Sequence, residues 1–347
     1  MRWQTRRAVG ALALALSLLA CGDDEPSGAA GDGEGTLELT AAIPFPSGVV
    51  FYPLYVAQER GYFEEEGLSV TTEPVDGSGQ VLQLLLAGQA QIGLPSPGPF
   101  MQSVHEGSDL VSVYTLFQSN VFALVTPEDS AIESLADLAG TTVGVGTIEG
   151  GETAFVKALL SQEAGLDEGD YELLAVGDGG TASVGLERGD VAAYAASFPD
   201  VAIMRLQGLD LRDLISPEFQ SFFDSLVVVE RSFLDDNTEA VEGIGRALAR
   251  ATVWGQENPE GVMEITEEFF PEEADDAEFT LALLEETQGL FALPEEADGQ
   301  WGYAVPVAVE RYMAFLLDQG ELDAPIDTDV FVNDLVDAYN DFDEGSL

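Results

Sequence analysis

The side chains that most often carry catalysis are scarce in this sequence of 347 residues. The sequence contains one histidine, His105, and one cysteine, Cys21. This excludes a His/Cys zinc cluster, a Cys–His pair in the mature chain and a disulfide framework. His105 follows an apolar helical stretch and precedes Gly107, which predicts an exposed helix end. Carboxylates number 64, so the proximity of any two says nothing about glycosidase chemistry. We therefore predict no catalytic residue, no metal site and no cofactor.

A glycine-rich stretch at residues 144–150 follows a predicted strand and precedes a predicted helix, as phosphate-binding loops do. It lacks the G-x-G-x-x-G spacing of dinucleotide-binding loops, because Glu149 stands where the third glycine should be. The stretch is better interpreted as a loop that binds a smaller ligand through the hydroxyls of Thr147 and Thr153. An alternative is that the nearby acidic residues only stabilise the start of the helix.

The charge balance limits the partners of the protein. Lys and Arg number 12 against the 64 acidic residues, a net charge of −52, and such a field repels the phosphates of nucleic acids. With 46% hydrophobic residues the chain still has enough apolar surface to fold, and its length suggests two domains. The acidity fits a halophilic source or a simple need for solubility, and the composition favours neither.

The N-terminus has the pattern of an export signal. Arg2, Arg6 and Arg7 precede an apolar run too short to span a bilayer, and that run ends at Cys21 in a sequence that looks like a bacterial lipobox. We predict a lipoprotein signal peptide at residues 1–20, lipidation of Cys21 and a flexible acidic tether at residues 21–35. An ordinary signal peptide is the alternative, and the export route, general secretory or twin-arginine, stays open.

Beyond residue 35 the chain alternates short strand-like runs with helical segments, a pattern typical of α/β layers around mostly parallel sheets. Strands are predicted at residues 36–42, 68–75, 91–94, 110–117, 121–125, 142–146, 171–176, 191–196 and 226–229. Helices are predicted at residues 52–62, 80–87, 99–106, 132–139, 153–164, 181–187, 200–207, 238–257, 259–269, 276–290 and 301–319.

Four stretches carry a resemblance to a known family. They are FYPLYVAQERGYFEEEGLSV at residues 51–70, LAGQAQIG at 86–93, LADLAGTTVGV at 135–145 and LERGDVAA at 186–193. Together they resemble, in order, the substrate-binding proteins of ABC transporters for thiamine pyrimidines, sulfonates, taurine and nitrate. The resemblance covers about residues 37 to 215, and the helical C-terminal third fits in architecture more than in motif.

The resemblance implies a two-lobed, type II periplasmic-binding-protein-like α/β fold, with helices flanking mostly parallel sheets and a ligand cleft between the lobes. Lobe 1 would comprise residues 36–125 and 226–347, and lobe 2 residues 126–225. The solute would be held by loops at the carboxyl ends of strands and by helix N-termini, and a hinge motion would close the lobes around it.

Twelve residues in those loops are the candidate ligand contacts. Phe45 aligns with a ring-stacking aromatic of the pyrimidine-binding relatives, although it and Phe51 have an alternative as core residues. Asp200 would accept from a ligand amino group or would cap the next helix. We expect Phe45 and Asp200 to clamp the solute from opposite lobes. The candidates are Phe45, Ser47, Tyr52, Ser78, Gln80, Ser96, Gln118, Asn120, Thr147, Thr153, Asp178 and Asp200.

The function predicted from these features is that of an extracytoplasmic, lipid-anchored solute-binding protein. It would act as a monomer, deliver a small organic molecule to an ABC permease and its ATPase, and touch the membrane through its lipid. Aromatic residues near strand ends favour a pyrimidine-like solute, and scarce Lys and Arg count against an anion. Alternatives are a sulfonate-, taurine- or nitrate-binding protein and a sensor that docks on a membrane signalling protein. The related fungal pyrimidine synthase needs His and Cys positions that are absent here, so an enzyme is not expected.

Overall fold

The computed structural model describes residues 36–148, 151–220, 222–343, 345 and 347. The predicted signal peptide, Cys21 and the tether lie outside the described residues. Within this part of the chain, no helix is both long and apolar enough to cross a membrane.

The described chain forms ten strands and fifteen α-helices, with short 3-10 or π turns between some of them. The strands are β1 (Leu37–Ile43), β2 (Leu68–Pro74), β3 (Ile92–Gly93), β4 (Leu110–Phe117), β5 (Phe122–Pro127), β6 (Thr142–Val145), β7 (Glu172–Ala175), β8 (Ala193–Ser197), β9 (Leu211–Asp213) and β10 (Asp224–Glu230). The helices are α1 (Tyr52–Glu59), α2 (Tyr62–Glu65), α3 (Gly77–Leu86), α4 (Pro97–His105), α5 (Gly151–Leu159), α6 (Gly179–Arg188), α7 (Phe198–Leu206), α8 (Pro217–Gln220), α9 (Arg231–Asp236), α10 (Thr238–Glu257), α11 (Pro259–Phe269), α12 (Pro271–Ala274), α13 (Ala277–Leu290), α14 (Pro306–Asp318) and α15 (Val336–Tyr339). The turns are Leu135–Leu138, Leu160–Ala164, Glu295–Ala297 and Thr328–Val330.

The strands form two five-stranded sheets, and both are mixed rather than mostly parallel. The first has the order β2-β1-β3-β10-β4 and the second the order β7-β6-β8-β5-β9. In the first sheet β1 pairs in parallel with β2 and β3, while β10 is antiparallel to β3 and β4. In the second sheet β6 is parallel to β7 and β8, while β5 is antiparallel to β8 and β9. The antiparallel pairs involve strands next to the segments in which the chain passes from one sheet to the other.

The chain passes between the sheets twice. The first crossing, residues 118–121, joins β4 to β5, and the second crossing joins β9 to β10 through α8. The two lie side by side, because the Asn120 N–H donates to the Gln220 carbonyl at 3.1 Å and its Nδ2 donates to the Phe219 carbonyl at 3.1 Å. Sheet membership leads us to propose these segments as the lobe boundaries, in place of residues 125/126 and 225/226.

Strand direction brings four loops together at these crossings. Because β4 is parallel to β1 and β3 through the intervening β10, the carboxyl ends of all three strands lie at one edge of the first sheet. Strand β5 starts where the first crossing ends, and it is antiparallel to β8, so the carboxyl ends of β6 and β8 face the same crossing. The loops after β1, β3, β6 and β8 therefore converge there, as ligand-binding loops of open α/β sheets do.

Apolar residues of the helices form separate layers on the sheets. The first core packs α1, α10, α11, α13 and α15 on one face of the first sheet. The second core includes side chains from both sheets, Leu226 of β10 and Val143 of β6, together with Phe100 of α4 and Phe155 of α5. A third, smaller core around Tyr194 covers the other face of the second sheet.

Three predicted helices differ from the observed ones. The helix predicted at residues 52–62 ends at Glu59, and a second helix, α2, begins at Tyr62, because Gly61 between them adopts a positive φ of 74°. The helix predicted at residues 132–139 is only the 3-10 turn Leu135–Leu138, because Ala139 is extended and Gly140 adopts a positive φ of 75°. The helix predicted from residue 301 begins at Pro306, because the preceding segment pairs with β4, where the Thr115 N–H donates to the Gly302 carbonyl at 2.9 Å. The short strand β9 has no counterpart in the sequence-based prediction.

Candidate functional site

An aromatic row begins in the loop after β1. Phe45 is 43% exposed, and its ring lies 5.0 Å from that of the fully buried Phe51. Phe51 in turn stacks on Phe117, the last residue of β4, at 6.5 Å with an angle of 16° between the ring planes. Buried rings thus support one exposed ring at the edge where the strands end. Phe45 is the member of the row whose face a planar solute can reach.

The other two candidates in this region serve the fold. Tyr52 is fully buried and donates from its hydroxyl to the Thr252 carbonyl at 3.0 Å, and its ring fits against Gly255, where a Cβ would come within 2.2 Å. Burial raises the pKa of Tyr52 well above its usual value. The structure therefore places Tyr52 in the core rather than at the ligand site.

Ser47 is also occupied within the protein. Its buried hydroxyl donates to Glu273 at 2.5 Å and accepts from the Val50 N–H at 3.1 Å. The Gly48 N–H donates to the second oxygen of the same carboxylate at 2.6 Å. These bonds fasten the loop after β1 to α12, so Ser47 positions Phe45 instead of offering its own hydroxyl to a solute.

Ser78 and Ser96 come together with an acid that sequence reasoning missed. The Ser96 N–H donates to the Ser78 hydroxyl at 3.0 Å, and the Ser96 hydroxyl donates to Oδ1 of Asp224 at 3.1 Å. Asp224 is the first residue of β10 and lies opposite Phe117 on β4. The sequence predicts a strand that begins only at Leu226, so Asp224 is not among the candidate residues. The sequence does contain one indication of Asp224 as a site residue, because it is an acid two residues before a predicted buried strand.

The Asp224 carboxylate is largely withdrawn from water. Burial raises its pKa from 3.8 to about 6, although hydrogen bonds from Ser225 and Ser96 oppose that shift. None of the ion pairs among the described residues includes Asp224. Its neighbour Ser225 has a φ of 45°, in the left-handed region that non-glycine residues rarely adopt.

Gln80, Gln118 and Asn120 hold backbone groups. The exposed Gln80 side chain accepts from the Asp76 N–H at 3.3 Å, ahead of α3. Buried Gln118 donates to the carbonyls of Thr115 and Tyr303, and it also lines a cavity of about 510 Å³ beside α14. Asn120 joins the two crossings, as described above, and lines a separate cavity of about 230 Å³ between α7 and α13.

The loop after β6 brings together Thr147 and Thr153. The buried Thr153 hydroxyl donates to the Thr147 carbonyl at 2.7 Å, and the Thr147 N–H donates to Glu152 at 3.1 Å. The hydroxyl of Thr153 is therefore used to close the loop, while the Thr147 side chain is exposed. Glu152 stabilises the start of α5, which agrees with the alternative that its acid serves the helix.

Asp200 is the most heavily bonded of the candidates. Its Oδ1 accepts from the Gly179 N–H at 2.7 Å, and its Oδ2 accepts from the N–H and hydroxyl of Ser197 at 3.1 and 2.9 Å. The pair forms a capping box at the start of α7. Asp178 is exposed, and the Tyr194 hydroxyl lies between it and Asp200. That hydroxyl is 3.5 Å from Oδ1 of Asp178 and 3.3 Å from Oδ2 of Asp200. The geometry thus favours the cap over the predicted clamp role for Asp200.

The candidate site combines the exposed ring of Phe45, the Asp224 carboxylate, which is largely withdrawn from water, and hydroxyl-rich loops at the ends of strands. Such groups can stack on a planar molecule and accept hydrogen bonds from it. A family model described as NMT1/THI5 like matches residues 49–262, well over half of the chain. The chain belongs to the NMT1/THI5-like family.

Three relatives of this family member have names that state a role. A riboflavin-binding protein, RibY, of Chloroflexus aurantiacus is 24% identical over 86% of this chain and 86% of its own length. A formylaminopyrimidine-binding protein of Halalkalibacterium halodurans is 26% identical over 79% of this chain and 82% of its own. A 4-amino-5-hydroxymethyl-2-methylpyrimidine phosphate synthase of Aspergillus parasiticus is 29% identical over 61% of this chain and 65% of its own.

A solved structure shows the same architecture. The periplasmic aliphatic sulphonate binding protein SsuA of Escherichia coli superposes with a TM-score of 0.65, covering 85% of this chain and 91% of its own at 16% identity. The predicted periplasmic-binding-protein fold is therefore confirmed, with mixed sheets. At this identity the likeness concerns the fold alone.

Proposed function

We propose that this protein is an extracytoplasmic solute-binding protein that delivers a planar, pyrimidine-containing molecule to an ABC importer. The observation that carries the proposal is the exposed ring of Phe45, which stands on buried Phe51 and Phe117 at the edge of the first sheet that also holds the Asp224 carboxylate. An aromatic face with a nearby acceptor suits a flat heterocycle that carries N–H donors. Relatives named for riboflavin and for formylaminopyrimidine support this solute class.

An anionic solute is the less favoured alternative. Four carboxylates flank the converging loops: those of Glu152 in the first turn of α5, Asp178 before α6, Asp200 in the first turn of α7 and Asp224 at the start of β10. No Lys or Arg stands within the described parts of the loops after β1, β3, β6 and β8. A sulfonate or nitrate would meet these carboxylates without a cation from the same loops to offset them. The fold shared with a sulphonate-binding protein does not by itself make this chain one.

The remaining parts of the proposal concern place and mode of action. We place the protein at the cell envelope as a monomer anchored through a lipid on Cys21, in contact with a permease and its ATPase. Solute-binding relatives support a role in binding rather than in bond-making, although the family also includes a synthase. The site contains the acceptors and aromatic rings that binding needs.

A thermal-shift screen of the purified protein with riboflavin, formylaminopyrimidine, taurine and nitrate tests the solute class. A ligand that binds only the folded protein raises its melting temperature. At a ligand concentration one hundred times Kd, the free energy of unfolding rises by about 2.7 kcal/mol. We expect a shift with riboflavin or formylaminopyrimidine and none with the two anions. A shift with taurine or nitrate alone would contradict the proposal. Uptake of the bound solute by cells with and without the gene separates an importer subunit from a sensor.

A further inference from the structure

We propose that Asp224 is a specificity-determining residue, whose Oδ2 accepts a hydrogen bond from an N–H donor of the solute. This inference rests on the proposed function and adds the chemical feature that the site would recognise. It concerns a residue that none of the sequence motifs pointed to.

The position of Asp224 places it where the converging loops meet. It begins β10 at the edge of the first sheet, directly after the second crossing, and lies opposite Phe117. Phe117 is the end of the aromatic row that leads to the exposed Phe45 ring. The hydroxyl of Ser96, in the loop after β3, donates to the Asp224 carboxylate. Phe45 and Asp224 therefore lie at the same edge of the first sheet, where the strands β1, β3 and β4 end.

The hydrogen bonds that Asp224 accepts all reach one of its two carboxylate oxygens, Oδ1. Ser96 Oγ at 3.1 Å, Ser225 N at 2.6 Å and Ser225 Oγ at 3.4 Å all donate to Oδ1. Among the described residues no hydrogen bond or ion pair reaches Oδ2. Asp200 is the contrast, since both of its oxygens accept from the protein. Oδ2 of Asp224 is not among the enclosed side-chain atoms that lack a partner, so an incoming donor can reach it. A carboxylate oxygen that is largely withdrawn from water gains from such a donor, and Oδ2 is the acceptor left for a ligand.

The groups that face Asp224 leave it without a positive partner. From α14 the Tyr312 hydroxyl faces it, and burial together with the Asp224 charge raises the pKa of Tyr312, so this hydroxyl is neutral. Ser96, which precedes α4, and Ser225 of β10 donate to Asp224, and Phe117 lies opposite it on β4. Glu321 also acts on Tyr312 and adds negative charge nearby. A neutral or cationic N–H donor of a solute is compatible with these neighbours of Asp224. A solute that lacks such a donor would leave Oδ2 without a hydrogen bond.

The chemistry predicts how binding should depend on pH. The ionised carboxylate is the form that accepts from an N–H, and the pKa of about 6 in the protein means that it is mostly ionised at pH 7.5. Binding should therefore weaken as the pH falls through 6, by about tenfold between pH 7.5 and pH 5, since one pH unit below the pKa leaves about a tenth ionised.

The test measures the affinity of riboflavin and formylaminopyrimidine by calorimetry for wild type and for Asp224→Asn between pH 5 and 8. The amide of the variant keeps an acceptor for Ser96 and Ser225, so the fold is retained. Asp137→Asn is the matched control, because Asp137 also accepts from a serine hydroxyl and N–H but caps an exposed turn away from the crossings. We expect Asp224→Asn to bind about ten- to hundredfold more weakly at pH 7.5 and to lose the pH dependence, while the control matches wild type.

A second probe pair isolates the N–H donor itself. Riboflavin carries one imide N–H, and its N3-methyl derivative lacks that donor. We expect wild type to prefer riboflavin over the methylated probe and Asp224→Asn to lose most of that preference. Wild-type affinity and an unchanged pH profile in Asp224→Asn would overturn the role of Asp224 and leave the proposed function standing. Failure of wild type to bind either heterocycle would overturn both.

Discussion

Arg205 of α7 and Glu286 of α13 form an ion pair that joins a helix of the second sheet to a helix packed on the first. Of the seven ion pairs among the described residues, it is the one that joins an element packed on the second sheet to an element packed on the first. Both residues line the cavity of about 230 Å³ at the first crossing. Burial raises the pKa of Glu286, and the Arg205 charge opposes that shift. The pair therefore helps to set how the two sheets lie at the crossing.

Removal of this pair should loosen the contact between α7 and α13. Arg205→Met leaves the mostly buried Glu286 carboxylate without its cation, and we expect a loss of about 1 kcal/mol in the free energy of unfolding. The difference from wild type should shrink in molar salt, which screens the pair. Urea titrations at low and high salt measure it. Arg231→Met, which breaks the more exposed pair with Asp109 inside one half, is the control and should change stability less.

Asp224→Asn should make the protein more stable at neutral pH. The folded-state pKa of about 6 lies above the ordinary 3.8, so the native state binds more protons than the unfolded state between these values. Stability of wild type therefore falls as the pH rises from about 4 to 6, and the variant lacks this loss. We expect an advantage of up to about 3 kcal/mol for the variant above pH 7 that disappears near pH 4. Equal pH profiles in urea titrations would show that Asp224 is not held in this setting.

Phe45 and Phe51 should respond differently to truncation. Phe45→Ala removes an exposed ring, and we expect a stability change below about 1 kcal/mol with a loss of about tenfold or more in solute affinity. Phe51→Ala removes a fully buried ring and should cost about 3–5 kcal/mol in stability. Denaturant melts and calorimetry on both variants separate the two effects. An unfolded Phe45→Ala would mean that the ring is core.

Asp200 is expected to matter mainly for stability. Asp200→Asn replaces one accepting oxygen by an amide NH₂ among the donors from Gly179 and Ser197, so we expect a loss of about 1–3 kcal/mol. The exposed Asp178 is the control, and Asp178→Asn should be nearly neutral. Thermal melts of both variants measure this. A stable Asp200→Asn that binds solute poorly would instead restore the predicted clamp.

Anchoring is tested at Cys21. Cys21→Ser should abolish lipid attachment, because the thiol is the only group in the lipobox pattern that can carry the lipid. We expect the wild-type protein in the detergent phase of a phase separation and the variant in the aqueous phase or as an unprocessed precursor. Detergent partition of the variant with an unmodified residue 21 would contradict the lipoprotein prediction.

Regular elements were predicted best where burial follows a clear period. The helices α10 and α11 and the strand β4 match the predicted bounds, because a long amphipathic period and a fully buried apolar run leave few alternatives. The 3-10 turn at Leu135–Leu138 was overestimated because its apolar residues mimic a helical period that Gly140 ends.

The site was only partly predictable, since which way a side chain points depends on contacts distant in sequence. Phe45 lies at the strand end that the pattern indicated. Tyr52 has a similar local setting, yet Thr252 and Gly255, two hundred residues away, draw it into the core. Asp224 gains its unusual environment from Ser96 and Tyr312, which no local pattern links to it.

The second core has a consequence for how this molecule can be taken apart. Phe155 of α5 packs on Phe219 and Phe222 of the second crossing, and Phe222 packs on Tyr312 of α14, so a continuous chain of rings ties the second sheet to the C-terminal helices. Excising the second half as a separate domain would strip Phe155 of these partners and expose it to water. We therefore expect the two sheets to unfold as one cooperative unit, and a hinge motion at the crossings to keep this chain of rings packed.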